Sequence, residues 1–266
     1  MPQLIKQPSA ANPRLNEIIV PAGVTLFSAG DQADAVFIVT EGEIGIYSGD
    51  SGAMVASLVK GSSFGEQALI GTKQRLASAK AIRDSRVLEI PATKLSSEIA
   101  QSSPKLRTAF DALTLQLLQK NYLTEFIAQG CSGVAKFDLG PESLGSTTAD
   151  RLVNNRDLNS VYISDTDHLI QLIESGKGVV ITGGRGAMLK DGITCELGSG
   201  GVLGVAESIA MCKSVTSVSV LTSLNGVVID GDTAYQAFLQ LSAGLKGVVK
   251  GLIVRALDDN TNSDRF

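Results

Sequence analysis

Between Glu17 and Ile90 the chain alternates short Val/Ile-rich runs with polar breaks that carry glycine. The runs 18–20, 25–27, 36–39, 44–47, 55–59, 78–82 and 87–90 have the length and composition of strands. Ala29-Gly30-Asp31, Glu41-Gly42-Glu43 and Gly49-Asp50-Ser51-Gly52 supply residues that accept turn conformations. Strands at this spacing, with no long helical pattern between them, predict an antiparallel barrel or jelly roll.

The pattern then changes period. Ser102-Ser103-Pro104 puts hydroxyls before a proline, which suits the cap and first turn of a helix. Leu106, Phe110, Leu113 and Leu117 recur at helical spacing, with Leu118, Tyr122 and Phe126 widening the stripe to a terminator at Gly130. The β-rich domain is therefore expected to end in a helix of roughly 25 residues. Residues 131–159 are rich in glycine and small polar residues and read as a linker; the β pattern resumes at Val161 and closes with an apolar segment over 234–257.

The two halves have the look of a diverged repeat. Ile38-Val39-Thr40-Glu41-Gly42 is set against Leu172-Ile173-Glu174-Ser175-Gly176, Gly61-Ser62-Ser63-Phe64-Gly65 against Gly201-Val202-Leu203-Gly204, and Val87-Leu88-Glu89-Ile90 against Val227-Val228-Ile229-Asp230. The expected fold is mainly β with helices (α+β): two tandem jelly-roll-like barrels, each followed by a helix. The expected boundaries are an N-terminal segment 1–16, domain 1 at 17–130, a linker 131–159, domain 2 at 160–258 and a polar tail 259–266.

Composition narrows the function classes. A chain of 266 residues, 44% hydrophobic and 19% charged, suits two ordinary cores and excludes general disorder. A formal charge of −4, with no Lys/Arg block, speaks against nucleic acid as a partner. Cys131, Cys195 and Cys212 form no CxxC pair, which suits a reducing compartment and supports neither a disulfide frame nor a zinc site. The N-terminus lacks the apolar core of a secretory signal, and no membrane span is expected, so the expected location is cytoplasmic.

The chemistry-bearing stretch is Phe64-Gly65-Glu66-Gln67-Ala68-Leu69-Ile70-Gly71-Thr72-Lys73-Gln74-Arg75-Leu76-Ala77-Ser78-Ala79-Lys80-Ala81. A glycine turn opens a short helical piece whose free amides favour an anion. One carboxylate stands at its start, one guanidinium follows nine residues later, and small residues after it let a backbone come close to a ligand. The guanidinium suits a phosphate; the carboxylate beside it would repel one unless a hydroxyl-bearing group such as a ribose lay between.

This run resembles the phosphate-binding cassette of the cyclic nucleotide-binding domain family, and the upstream run from Gly23 to Glu43 is similar to that family as well. The likeness covers about 17–126. It implies cAMP as ligand and no other cofactor, with Phe64, Gly65, Glu66, Ala68, Leu69, Arg75, Leu76, Ala77 and Ser78 as the binding set. By the same resemblance Glu66 accepts from a ribose hydroxyl, Arg75 pairs with the cyclic phosphate, the Gly65 and Ala77 amides add donors, and Ala68 and Leu69 shape the cassette helix. Gln74 departs from the family's proline. Leu76 stands where cGMP-selective members often carry threonine, which favours cAMP.

The second half lacks the set. Val205 stands at the carboxylate position and Ser214 at the guanidinium position, with Glu207 out of register and Lys213 as the one nearby cation. Domain 2 is therefore expected to keep the fold without the site. Gly198-Ser199-Gly200-Gly201-Val202-Leu203-Gly204 has the wrong spacing for a dinucleotide loop, Ser175-Gly176-Lys177-Gly178 is not a P-loop, and His168 is the single histidine. Tyr122 and Phe126 lie where the family's helix can stack on the base, although core packing accounts for them as well.

The function expected from all this is a non-catalytic cAMP receptor that relays a conformational change to an effector protein through the helix beginning at Pro104. Residues 104–129 are also the segment through which two copies could pair. The alternatives are a cGMP or cyclic dinucleotide sensor, a transcription regulator of the catabolite-activator type, and a ligand-free scaffold.

Overall fold

The computed structural model describes residues 3–9, 16–49, 51–66, 74–131, 133–139, 159–190, 192–212 and 217–257. It divides into two units: unit 1 is Met1–Gln101 with Ser242–Gly251, and unit 2 is Ser102–Leu241 with Leu252–Phe266.

Unit 1 contains β1 (Ile5–Pro8), β2 (Asn16–Val20), β3 (Thr25–Phe27), β4 (Ala35–Ser48), β5 (Met54–Val59), β6 (Ser63–Phe64) and β7 (Ala77–Pro91), then helix α1 (Ala92–Gln101). The strands make one antiparallel sheet in the order β1-β2-β7-β4-β5, with β3 on β7 and β6 on β4. Its inner side holds Val20, Phe37, Val39, Ile44, Phe64 and Val87. The sequence pattern splits β4 and β7 into two strands each, whereas each is one long bent strand. The turn expected at Glu41-Gly42-Glu43 is a bulge, where the β4–β7 register shifts. Gly42 has φ +87°, and a Cβ there would lie 2.3 Å from the Asp84 carbonyl oxygen, so glycine lets the strand bend against its neighbour without reversing.

Unit 2 begins with α2 (Pro104–Ala128), capped by Ser103, whose Oγ accepts from the Leu106 amide at 3.3 Å. It continues through β8 (Val134–Phe137), β9 (Ser160–Ile163), α3 (Thr166–Glu174), β10 (Lys177–Lys190), β11 (Ile193–Leu197), β12 (Val202–Leu203), α4 (Val205–Ala210), β13 (Ser217–Asp230) and α5 (Gly231–Phe238). The sheet order is β8-β11-β10-β13-β9 with β12 on β10; β8 joins β11 in parallel and the other pairs are antiparallel. Leu123, Phe137, Ile163, Leu169, Ile181 and Leu197 form its core.

Unit 2 repeats the central strands of unit 1, β9-β13-β10-β11 matching β2-β7-β4-β5 and β12 matching β6, while among the described residues β8 and α3 have no counterpart in unit 1. The register expected for the first part of the repeat is wrong. Leu172-Ile173-Glu174 lies in α3, not in a strand. The counterpart of β4 is β10, each with 14 residues, and the counterpart of Gly42 is Gly184. Gly184 has φ +81° and would place a Cβ 2.0 Å from the Ser223 carbonyl oxygen, the same bulge in the same place. Further along, the expected register holds at β6 and β12 and is one residue out at the third match, where Asp230 pairs with Lys177 as Pro91, not Ile90, pairs with Ala35. β6 pairs with Phe37 and Ile38, and β12 pairs with Val179 and Val180.

Three boundaries also differ from expectation. The helix 104–128 does not close domain 1; Leu118, Leu123, Phe126 and Ile127 pack into the unit 2 core. The expected linker supplies β8, while residues 140–158 lie outside the described set, as does the tail from 258. The apolar segment 234–257 is two helices, α5 and α6 (Ala243–Ala256), and Ser242–Gly251 belongs to unit 1. There the Ser242 amide and hydroxyl both donate to the Glu98 carboxylate at 2.7 Å. Gly244, Gly247 and Gly251 face Ile90, Ile38 and Ser63, and Ser63 Oγ donates to the Val248 carbonyl at 3.3 Å. α2 is buried from Thr108 to Leu117.

Candidate functional site

Two turns of unit 1 set the site. Gly30 (φ +86°) closes a turn in which the Ser28 amide donates to Asp31 Oδ2 and the Asp31 amide donates to the Ser28 carbonyl. That turn grips the backbone of Arg75: its amide donates to the Asp31 carbonyl, and the Gly30 amide donates to the Arg75 carbonyl, both at 2.8 Å. Residues Ser28–Asp31 and Arg75 are far apart in sequence, so this pairing fixes where the guanidinium starts from.

The second turn follows β6. Gly65 has φ +85°, a conformation costly for a side-chain-bearing residue, and a Cβ there would meet Arg75 Nη1 at 2.6 Å. Glu66 comes next, in a helical turn, fully buried. Arg75 is 4% exposed, although arginine is rarely buried to that degree. Its Nη1 donates to the Gly65 carbonyl at 3.2 Å, and Nη2 lies 3.8 Å from Asp34 Oδ1. Asp34 is largely solvent-exposed, so this ion pair is screened and weakly held.

Aromatic rings make up the remaining wall. The Arg75 guanidinium lies 4.2 Å from the Phe27 ring centre and 5.3 Å from that of Phe37. Phe27, Phe37 and Phe64 form a cluster with centroid separations of 5.4–6.0 Å. Burial pushes the Arg75 pKa below its usual value, while Asp34, Glu66 and Asp31 pull it back up. The cation is thus held by desolvated rings and a carbonyl, and its Nε has no hydrogen-bond partner among the described residues. A buried guanidinium with spare donors has the chemistry to pair with an oxyanion such as a phosphate.

The structure brings Phe64, Gly65, Glu66 and Arg75 into one place. Phe64 belongs to the hydrophobic core and acts as wall. Leu76 is half exposed, Ala77 pairs with Ser48 at the start of β7, and Ser78 Oγ accepts from the Ala29 amide at 2.9 Å. Ala68 and Leu69 lie outside the described residues. Phe27, Asp31, Asp34 and Phe37 were not singled out by the spacing argument, because only the tertiary turn pairing carries them to Arg75. The one sequence signal for them is the upstream run Gly23–Glu43, read above for its likeness as a whole rather than residue by residue.

In unit 2 the equivalent turn is Gly204 (φ +71°), followed by α4. Val205 is fully buried against Gly178, where a Cβ would lie 2.5 Å from it. Ser214 and Lys213 lie outside the described residues. Tyr122 tilts against Phe137, centroids 5.7 Å apart, and Phe126 packs into the unit 2 core, so both serve packing in unit 2. Burial raises the Cys195 thiol to about 11. Among the described residues no group of acidic, histidine and cysteine side chains could hold a metal ion, and no helix is long and apolar enough to cross a membrane.

Residues 17–102 match the family model of the cyclic nucleotide-binding domain. Unit 1 carries a cyclic nucleotide-binding domain. The match ends at the break between the units and contains every residue of the expected binding set. A cAMP-dependent protein kinase regulatory subunit of Aspergillus niger is 36% identical over 76 residues, covering 29% of this chain and 18% of that protein. An uncharacterized NTE family protein of Mycobacterium tuberculosis is 29% identical over 102 residues, 38% of this chain and 17% of that one. The chain thus spans less than a fifth of the length of these curated relatives. Among solved structures, cAMP-bound PfPKA-R (141–441) aligns over 92% of this chain and 82% of its own, at 15% identity and a TM-score of 0.36.

Proposed function

We propose that unit 1 is a non-catalytic cAMP receptor whose ligand state is passed to an effector protein. The observation that carries this is the buried Arg75 guanidinium, with Nε unpartnered among the described residues and Nη2 weakly engaged, beside the buried carboxylate of Glu66. The cyclic phosphate takes the guanidinium as a charge-assisted partner in place of exposed Asp34, and Glu66 accepts from the ribose 2′-hydroxyl. The Gly65 turn brings backbone close to the phosphate. Ala68, Leu69, Leu76, Ala77 and Ser78 complete the cassette, and Leu76 in place of threonine favours cAMP over cGMP.

Ligand that binds one arrangement of the cassette better than another shifts the population toward it. The segment placed to respond is Ser242–Gly251, because Gly251 and Val248 rest on Ser63, two residues before the Gly65 turn. This replaces the helix at Pro104 as the first reader of the cassette.

Calorimetric titration of the full chain with cAMP, cGMP and cyclic dinucleotides tests the proposal. Tightest binding by cAMP, lost on Arg75→Ala, is the expected result. No binding, or equal binding by the variant, overturns it. Specific, salt-sensitive binding to DNA in the presence of cAMP would instead favour a transcription regulator.

A further inference from the structure

In unit 2 the place equivalent to the cassette is already taken, and by the chain itself. β12, the left-handed Gly204 and α4 correspond to β6, the left-handed Gly65 and the helical turn of Glu66. At that point Gln116 of α2 reaches in: its Oε1 accepts from the Ala206 amide at 2.7 Å, and its Nε2 donates to Glu207 Oε2 at 2.8 Å. One turn further on, Gln119 takes both backbone groups of Val202, accepting from the amide at 2.8 Å and donating to the carbonyl at 3.0 Å. Both glutamines are buried, 7% and 3% exposed. The space left beside them, lined by Lys120, Lys190, Gly204 and Glu207 among others, measures about 30 Å³. That admits about one water, whereas small-molecule sites run to roughly 300–1,000 Å³.

We propose that Gln116 is the built-in ligand of unit 2: its side-chain amide fills the cradle position and holds this unit in its closed arrangement without a nucleotide. A carboxamide suits the task because it accepts from the backbone amide and donates to the carboxylate at once. Glu207, out of register in the sequence, then has a role as the acceptor that orients Gln116. With Gln119 clamping β12 one turn away, α2 is fixed to unit 2 and does not swing with the ligand state of unit 1. The proposal rests on taking Phe64–Ser78 as a ligand cassette, since that is what makes the Gly204 turn its equivalent.

Hydrogen–deuterium exchange of the full chain over 202–210 tests it, with Gln116→Ala, Gln116→Glu and the pair Gln116→Glu/Glu207→Gln. The glutamate keeps the acceptor for Ala206 but sets a second carboxylate against Glu207; the paired variant restores donor and acceptor with the roles exchanged. Exchange over 202–210 should speed up at least tenfold in both single variants and return to within about threefold of the parent in the pair. If Gln116→Glu loses protection throughout the chain, recovery in the pair still supports the proposal. Unchanged protection in Gln116→Ala, or no recovery in the pair, overturns it. In the parent chain, saturating cAMP should leave exchange over 104–128 unchanged, and a large change there also overturns it. These exchange arms without nucleotide stand whether or not calorimetry finds cAMP binding, so the two proposals fail separately.

Discussion

Units 1 and 2 share a central strand order, β2-β7-β4-β5 in one and β9-β13-β10-β11 in the other, the same bulge glycine and the same left-handed glycine after the short strand, yet they differ in what that glycine serves. In unit 1 Gly65 offers its carbonyl to Arg75, and two opposite charges are buried beside it. In unit 2 Gly204 leads into Val205, fully buried and apolar, and the next amide is capped by Gln116. The backbone scaffold is therefore separable from the chemistry it presents. Burying a guanidinium without full pairing costs stability and persists where a ligand repays it, while a capped amide against valine carries no such cost. Among the described residues, unit 1 thus buries a cation with incomplete pairing where unit 2 buries a valine beside a capped amide.

The sharpest break of that comparison is Arg75→Ala, which removes the charge-assisted contact and should weaken cAMP by about 2–4 kcal/mol, roughly 30- to 1000-fold, in calorimetry. Arg75→Lys should recover part of this only, since lysine lacks the fork. Stoichiometry is the next check. A value of one cAMP per chain is expected, and a value of two would erase the difference between the units. Gln119→Leu leaves the amide and carbonyl of Val202 unpaired in a buried place and should cost about 1–3 kcal/mol in denaturant unfolding, without changing cAMP affinity.

Within unit 1, Gly251→Ala sets a Cβ 2.1 Å from Ser63 Oγ and 3.0 Å from its backbone amide nitrogen. The segment Ser242–Gly251 must then shift off β6, lowering stability by about 1–3 kcal/mol and changing cAMP affinity, which a substitution confined to unit 2 should not do. The smallest effect concerns the thiols. Cys195, raised to about 11, should resist a thiol reagent at pH 8 while exposed Cys131 reacts. Because its folded pKa lies above the ordinary 9.0, the neutral buried thiol contributes stability that is complete below 9 and fades as pH rises toward 11.

Much of this was legible in the residues taken in order. Turn glycines and Val/Ile runs located the strands of unit 1, and Ser103-Pro104 marked the start of α2, because caps and turns are local devices whose partners lie within a few residues. The Glu66-to-Arg75 spacing was also legible, since the same short segment carries both groups. The bulges at Gly42 and Gly184 were not, because a glycine that bends a strand and one that reverses it have the same local composition. β8 and the parallel pairing to β11 were hidden in a glycine-rich stretch whose partner lies about 60 residues on.

By itself, the sequence determined the period of each element, the positions where left-handed backbone is needed, and which half keeps a carboxylate and a guanidinium at cassette spacing. Tertiary structure alone decided that Phe27, Phe37 and Asp34 surround Arg75, that Ser242–Gly251 rests on Ser63, and that Gln116 fills the place opposite Glu207. The physical reason is range. Dihedral preference and capping act over a few residues, whereas burial and hydrogen-bond satisfaction choose partners from the whole chain, and in α2 they chose unit 2 over the barrel that precedes it in sequence.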